Sequence, residues 1–343
     1  MSKPGRVFSL LAMASCLLLC FSCDASPRLY VRDSFAMDTT VSVSVYSDSK
    51  EAADNASSAA IDLINRYDSL LSISDEESDV YKINHSGGKP VSVSGDTVSI
   101  LETAEKISKL SGGLFDATIY PVVKAWGFTQ NENRVPPKDE LDELLKCVDW
   151  TKLEINNNSV KLPENFMIDL GGIAKGYISG KAAELLKEKG VYSAIVTLGG
   201  SVQTIGLKPD GSKWEIGIRN PNSPDQVVGT IRTGEKCIVT SGIYERKFVS
   251  EGITYHHIIS PETGCPSDSE IVSATIISDN PTEADALSTA VLIAGESSVR
   301  QMMEFADFDA ILITKDGEVI VFGEYEFTFT DNNKESFRLR YVM

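Results

Sequence analysis

The sequence predicts an α+β fold, with mixed and antiparallel sheets packed by helices. Two observations carry that prediction. Period-2 alternation, the mark of a half-buried strand, recurs in segments joined by short turns, so hairpins outnumber strand–helix–strand units. Other segments repeat apolar residues at helical spacing and stop at glycine. The chain has 343 residues and 42% hydrophobic content, enough for a substantial core in one large domain or two ordinary ones.

The N-terminus stands apart from the fold. Lys3 and Arg6 precede "FSLLAMASCLLLCF", an apolar run too short to span a membrane comfortably. Small residues and a Ser22–Cys23 junction follow. This is the layout of a lipoprotein signal at residues 1–22, with Cys23 as the lipidated first residue and residues 23–33 as a tether. An ordinary cleaved signal peptide is the alternative, and both imply export. Residues 34–343 then form the folded domain. Loss of Lys3 and Arg6 leaves 30 basic against 49 acidic residues, a net charge of −19. Such a surface excludes nucleic acid as partner and electrostatic adhesion to anionic lipid. A phosphate bound here needs a local remedy: a metal ion, a lysine or a helix N-terminus. Of six cysteines, Cys147, Cys237 and Cys265 remain once the signal is removed and Cys23 carries lipid. They are widely spaced, without the clustering of a zinc site, and leave room for one disulfide at most.

"MDTTVSVSVY" (Met37–Tyr46) alternates strictly and is a strand. "AADNASSAAIDLINRYDSLLS" is an amphipathic helix with Ile61, Ile64 and Leu71 on its apolar face. "GDTVSILETAEKISKLSGG" is a second helix, with Asp96 as candidate N-cap and Gly112–Gly113 as the stop. "DELDELLKCV" is a third. Strands follow in "YSAIVTLGG", "WEIGIRN", "GTIRTGEKCIVTSG" and "ERKFVSEGITYHHIIS". "DNPTEADALSTAVLIAG" is a helix with Asn280 suited to the N-cap, Pro281 to the first position and Gly295 to the end. "DAILITKDGEVIVFGE" is a hairpin turning at Asp316–Gly317.

Four stretches could carry chemistry. In "FMIDLGGIAKGYISGKAAELLKEKG" (Phe166–Gly190), Ile168–Leu170 would end a strand, Gly171–Gly172 would turn, and Lys175 would lie in the first turn of a helix. A lysine there is unfavourable for the helix dipole unless an anion is nearby. The spacing fits neither a P-loop nor a dinucleotide fingerprint. Glycines serving only close packing are the alternative. In the helix from Pro281, Asp285, Ser288 and Thr289 share a face as hard oxygen donors suited to Mg²⁺, or as a solvated polar face. In "YHHIISPETGCP", His256 and His257 are two of only three histidines. Strand neighbours point to opposite faces, so one of them can serve a site. "GGLFDATIYPVVKAWGF" (Gly112–Phe128) is dense in aromatic and turn residues, and reads otherwise as a packed loop under a core tryptophan.

Together these stretches resemble the ApbE family, the FAD:protein FMN transferases. "DLGGIAKGY" and "ADALSTA" stand unchanged; "FDATIYPVVKAWGF", "TSGIYERKF" and "HHIISPETGCP" match the family's segments in order. The resemblance runs from about Phe35 to the C-terminus. It implies an ApbE-like (T-fold-like) α+β architecture. It implies one or two Mg²⁺ and FAD as substrate, with transfer of FMN to a Thr or Ser hydroxyl of an exported acceptor protein of a membrane redox complex, releasing AMP. It implies FAD contacts at Met37, Leu114, Phe115, Asp116, Asp169, Lys175 and Ile258. The metal would be held by the carbonyl of Gly172, Asp285 and Thr289, with Ser288 beside them, and His257 would act as base or proton relay. Three departures stand out: Asp38 where "MGT" is usual, Ser260 where Asp usually follows "HHII", and Ser74 where many members place an aromatic over the flavin ring. A missing stacking residue would loosen the flavin and admit water. The competing expectations are therefore an Mg²⁺-dependent FAD pyrophosphatase and a non-catalytic flavin-binding lipoprotein. The intact "ADALSTA" and "HHI" weigh against the latter, since storage needs neither base nor metal.

Overall fold

A nine-stranded sheet forms the centre of the computed structural model, which describes residues 26–129, 132–333 and 335–342. The expected signal segment, residues 1–22, and Cys23 lie outside the described residues. Strands β1 (Arg28–Ala36) and β2 (Thr39–Ser47) form a hairpin around Met37–Asp38. Residues 28–33 are thus sheet rather than tether: their backbone groups complete the ladder along β2. Val41, Val43 and Val45 alternate onto the helical side of the sheet and are fully buried.

Helix α1 (Lys50–Leu70) is capped by Ser49, whose hydroxyl accepts from Ala52 N at 3.2 Å. After α2 (Asp79–Asn84) and the short β3 (Val91–Ser92), α3 (Gly95–Leu110) begins. Ser94 rather than Asp96 caps α3, accepting from Thr97 N at 3.1 Å. Asp96 lies in the first turn and accepts from Tyr177 Oη at 2.6 Å. The stretch read as a packed loop contains α4 (Tyr120–Trp126), with Pro121 in its first turn. α5 (Lys138–Leu144), β4 (Glu154–Asn156) and β5 (Ser159–Lys161) follow.

Residues 168–170 do not end a strand. Asn84 takes the place of a partner strand: its Oδ1 accepts from Ile168 N at 2.7 Å and its Nδ2 donates to Ile168 O at 2.9 Å. Met167 makes only an isolated bridge with Ile119. The expected helix is present as α6 (Ala174–Glu188).

The second half supplies β6 (Ala194–Leu198), β7 (Ser201–Ile205), β8 (Trp214–Asn220), β9 (Ser223–Thr233) and β10 (Cys237–Gly242). Then come the hairpin β11 (Lys247–Ser250) and β12 (Ile253–His256), β13 (Ile271–Ser278), α7 (Pro281–Ala294) and α8 (Val299–Met303). β14 (Asp309–Thr314), β15 (Glu318–Phe322), β16 (Thr328–Phe329) and β17 (Arg338–Val342) complete the order. α7 starts as its sequence predicts: Asn280 Oδ1 accepts from Thr282 N and Glu283 N, both at 3.2 Å.

The large sheet runs β1-β2-β6-β7-β10-β13-β14-β15-β17, antiparallel except for its last pair. One face packs against α1, α6 and α7 in the main core, with α3 packed in turn on α7. The other packs against the small sheet β16-β9-β8, where Trp214, Ile216 and Ile231 meet Ile238, Ile277 and Ile311. A third cluster of Val122, Trp126, Phe128, Leu141 and Ile259 braces the loops at one end. The α+β prediction holds, because alternation survives wherever a sheet has two differently covered faces.

Candidate active site

α6 and α7 cross at Gly176. A Cβ there would overlap the carbonyl of Pro281 and lie 2.8 Å from Asp285 Cβ. The absence of a side chain lets Gly176 N donate to Asp285 Oδ2 at 2.9 Å. The carboxylate of Asp285 is thereby fixed at the α6 N-terminus, with Lys175 Nζ 3.9 Å from Oδ2. Lys175 also donates to Gly171 O at 2.5 Å. Asp169 Oδ1 accepts from Gly171 N at 2.8 Å, tying the glycine loop down from the other side. The glycines of this loop and helix thus divide their work. Gly176 serves helix packing, while Gly171 and Gly172 line a cleft.

That cleft has a volume of about 880 Å³. Met37, Ser74, Leu114, Phe115, Asp116, Asp169, Gly172, Lys175, His257, Ile258, Asp285 and Thr289 all line it. The fold brings them together from the β1–β2 turn, the loops after α1 and α3, the start of α6, the loop after β12 and the middle of α7. Ser288 does not reach it. It is fully buried, its hydroxyl donating to Asp285 O at 2.7 Å and lying 2.7 Å from Ser241 Oγ. A third helical residue at this spacing has rotated past the face that Asp285 and Thr289 present. The face they share is covered, not solvated: Asp285 is 3% exposed.

His257 is held by Arg246 through two backbone contacts. His257 N donates to Arg246 O at 3.1 Å, and Nδ1 lies 3.2 Å from the same oxygen. A carbonyl only accepts, so Nδ1 carries the proton and Nε2 keeps its lone pair. Burial and the neighbouring Arg246 push the imidazole down to about 3, so the ring is neutral at physiological pH. His256 faces away, with Nε2 3.0 Å from Ser267 O. Phe128 meets His257 edge-on at 6.4 Å.

The acids differ in employment. Asp116 Oδ1 accepts from Thr118 N and Thr118 Oγ1, both at 2.7 Å, and Oδ2 accepts from Trp150 N at 3.0 Å. It braces the loop that presents Leu114 and Phe115. Burial raises the carboxyls of both Asp116 and Asp169; around Asp169, Gly171 N–H, Lys175 and Arg246 pull the other way. Asp68 Oδ2 accepts from Met37 N at 3.0 Å. Met37 and Asp38 both hold positive φ, 51° and 55°. The hairpin turn demands that conformation, which is why glycine would suit position 38. Ser260 accepts from Gly264 N at 2.8 Å through its carbonyl and from Glu262 N at 3.3 Å through its hydroxyl. It performs the turn-capping that an Asp could perform there.

Sequence reasoning missed Asp68, Thr129, Ser241, Glu245 and Arg246, all on the cleft wall. Thr129 Oγ1 is buried there without a partner. Ser241, Glu245 and Arg246 carried a signal, being inside "TSGIYERKF"; Asp68 and Thr129 carried none.

Asp285, Thr289 and Ser241 bring one carboxylate and two hydroxyls to one place, with Thr289 Oγ1 3.2 Å from Ser241 Oγ. Gly172 lies alongside, since a Cβ on it would be 3.7 Å from Thr289 Oγ1. Among the described residues no three His, Cys, Asp or Glu converge. Such a donor set fits a hard cation that takes one carboxylate, neutral oxygens and substrate phosphates, as Mg²⁺ does.

The ApbE family model matches residues 37–312, and the chain belongs to that family. It is 32% identical to an FAD:protein FMN transferase of Klebsiella pneumoniae, covering 86% of this chain and 92% of that one. It is also 32% identical to an FAD:protein FMN transferase of Treponema pallidum, over 88% and 91% of the two chains. Among solved structures, the ApbE protein of Thermotoga maritima superposes with a TM-score of 0.79 at 32% identity, covering 91% of this chain and all of that one. The flavin transferase ApbE of Vibrio cholerae gives 0.76 at 25% identity, with the same coverage.

Proposed function

We propose that this chain is an Mg²⁺-dependent FAD:protein FMN transferase, exported and anchored through Cys23, acting on an exported acceptor protein of a membrane redox complex. The observation that carries the reading is the convergence of Asp169, Lys175, His257, Asp285 and Thr289 from distant segments on one cleft. In the reaction, an acceptor Thr or Ser hydroxyl attacks the FMN phosphorus of FAD. The new O–P bond forms as the bond to the bridging oxygen breaks, and AMP leaves with that oxygen. His257 Nε2 takes the hydroxyl proton; the Nδ1–H to Arg246 O aims the ring. Lys175 and the N-terminus of α6 receive negative charge on the phosphates. Met37, Phe115 and Ile258 bound the space for the flavin. Asp285, Thr289 and the Gly172 carbonyl would hold Mg²⁺, which when bound neutralises phosphate oxygens.

A second activity has its own support. Ser74 is exposed at the cleft rim, and Leu71, Ser72 and Ile73 beside it supply no aromatic ring. Water meets little obstruction there, so FAD hydrolysis to FMN and AMP accompanies transfer when no acceptor is present. Incubation of the soluble protein with FAD and Mg²⁺, with and without an acceptor domain, separates the readings. We expect an FMN adduct on threonine by mass spectrometry and slower AMP release without acceptor. AMP without any adduct would leave only a hydrolase; retained, uncleaved FAD would leave only a binding protein. Asp285→Ala or excess EDTA should each lower turnover at least about 100-fold. Full turnover under either condition removes the metal from the proposal. Asp285→Asn, which keeps an acceptor for Gly176 N, separates loss of the charge from loss of the helix contact.

A further inference from the structure

Six carboxylates face the cleft, from Asp38, Asp68, Asp116, Asp169, Glu245 and Asp285, against two permanent cations, Lys175 and Arg246. A pyrophosphate entering that field needs every positive charge available. Lys175 is already engaged, with Gly171 O and close to Asp285. Glu245 is paired with Arg219 at 2.7 Å. Arg246 is differently placed. Its carbonyl anchors His257, while its side chain is 45% exposed on the cleft wall. Among the described residues the guanidinium has one carboxylate within ion-pair distance, Asp38 Oδ2 at 4.0 Å, and Asp169 acts on it only from farther off. That distance is an ion pair without a hydrogen bond. Five N–H donors in a planar fork are therefore uncommitted beside an anion-binding loop. Asp38 itself stands on the strained β1–β2 turn and is 83% exposed.

We propose that Arg246 is a phosphate-binding residue of this cleft, that its guanidinium takes the FAD pyrophosphate opposite Lys175, and that Asp38 is its resting partner. The inference rests on the proposed FAD reaction. The same residue then does two jobs: its backbone aims the base, and its side chain holds the group the base's nucleophile attacks. Asp38 competes with the phosphate for the guanidinium, so it weakens binding in the position where glycine would not.

The test is direct flavin binding to the folded protein, followed by fluorescence, with FAD and with riboflavin, which lacks phosphate. Arg246→Ala should raise the Kd for FAD about 10- to 100-fold and leave riboflavin unchanged. Arg246→Lys should recover only part of the loss, because an ammonium cannot bind two phosphate oxygens in a fork. Asp38→Gly should tighten FAD by up to about 5-fold, again without effect on riboflavin. Arg246→Gln gives a second neutral variant with the stem retained. Unchanged FAD binding in Arg246→Ala and Arg246→Gln would overturn the proposal, as would equal weakening of FAD and riboflavin. If the wild-type protein fails to bind FAD, the proposed function fails rather than this assignment.

Discussion

At the scale of single residues, His257 shows how surroundings set chemistry. An ordinary imidazole would lose half its base form near pH 6.5, but burial and Arg246 hold this one down to about 3. Since the neutral form is the base, FAD cleavage should show no acid limb near pH 6.5, and activity should persist to about pH 5. A pH profile of AMP release checks this; a limb at 6.5 that His257→Gln abolishes would contradict it. The stability consequence has a definite sign. The folded value lies below the unfolded one, so the unfolded chain binds the extra proton. Stability is therefore full above pH 6.5 and falls as pH drops toward 3. Ser74 is the other telling residue. Ser74→Tyr would place a ring at the rim, where stacking on flavin is worth about 1 kcal/mol. FAD retention should rise several-fold and acceptor-free hydrolysis should drop, with transfer less affected. If chromatographic AMP release and FAD retention are both unchanged, Ser74 does not lie over the flavin.

At the scale of elements, the crossing of α6 and α7 is the joint on which the site depends. Gly176 faces Pro281 and Asp285, and Gly180 faces the Pro281 ring. Gly176→Ala should cost about 2–3 kcal/mol through overpacking, seen as a lower urea midpoint. It should also lower FAD turnover by displacing the Asp285 carboxylate. Tolerance of alanine there would mean that the helices can separate without harm. The helix dipole and Lys175 complement each other only because Asp285 and the glycine loop hold the lysine over the α6 terminus. The β1–β2 turn is a second joint: it holds Met37 in the cleft through Asp68, at the expense of two non-glycine residues at positive φ.

At the scale of the whole molecule, the three layers place every line of the cleft at one end of the helical side of the large sheet. The other side is closed by the small sheet. β1 begins at Arg28, five residues beyond Cys23. An anchored chain would thus hold its edge strand within roughly 20 Å of the lipid surface, since extended chain reaches about 3.5 Å per residue. Labelled palmitate should enter the wild-type protein and not Cys23→Ser, and the variant should be released in soluble form. Labelling that persists in Cys23→Ser would move or remove the anchor.

Local signals were legible wherever one residue type has one physical use. Asn280, Pro281 and Gly295 delimit α7, alternating valines make β2, and "DG" turns the β14–β15 hairpin. The family resemblance likewise pointed in advance to the cleft's polar centre at Asp169, Lys175, His257, Asp285 and Thr289, because phosphate chemistry demands those side chains, while much of the surrounding wall went unmarked. Three things were decided only in three dimensions. Ile168–Leu170 is apolar enough for a strand, but Asn84, 84 residues away, claimed its backbone. Ser288 shares its spacing with Asp285 and Thr289, yet packing against Ser241 turned it inward. Arg246 lay inside a matched motif with no role attached to it until β11 and β12 brought its carbonyl to His257 and its guanidinium to the cleft. Sequence determines which groups exist and what local structure they favour. Which of two chemically adequate groups faces the site depends on contacts between residues far apart in the chain, and those are settled by packing.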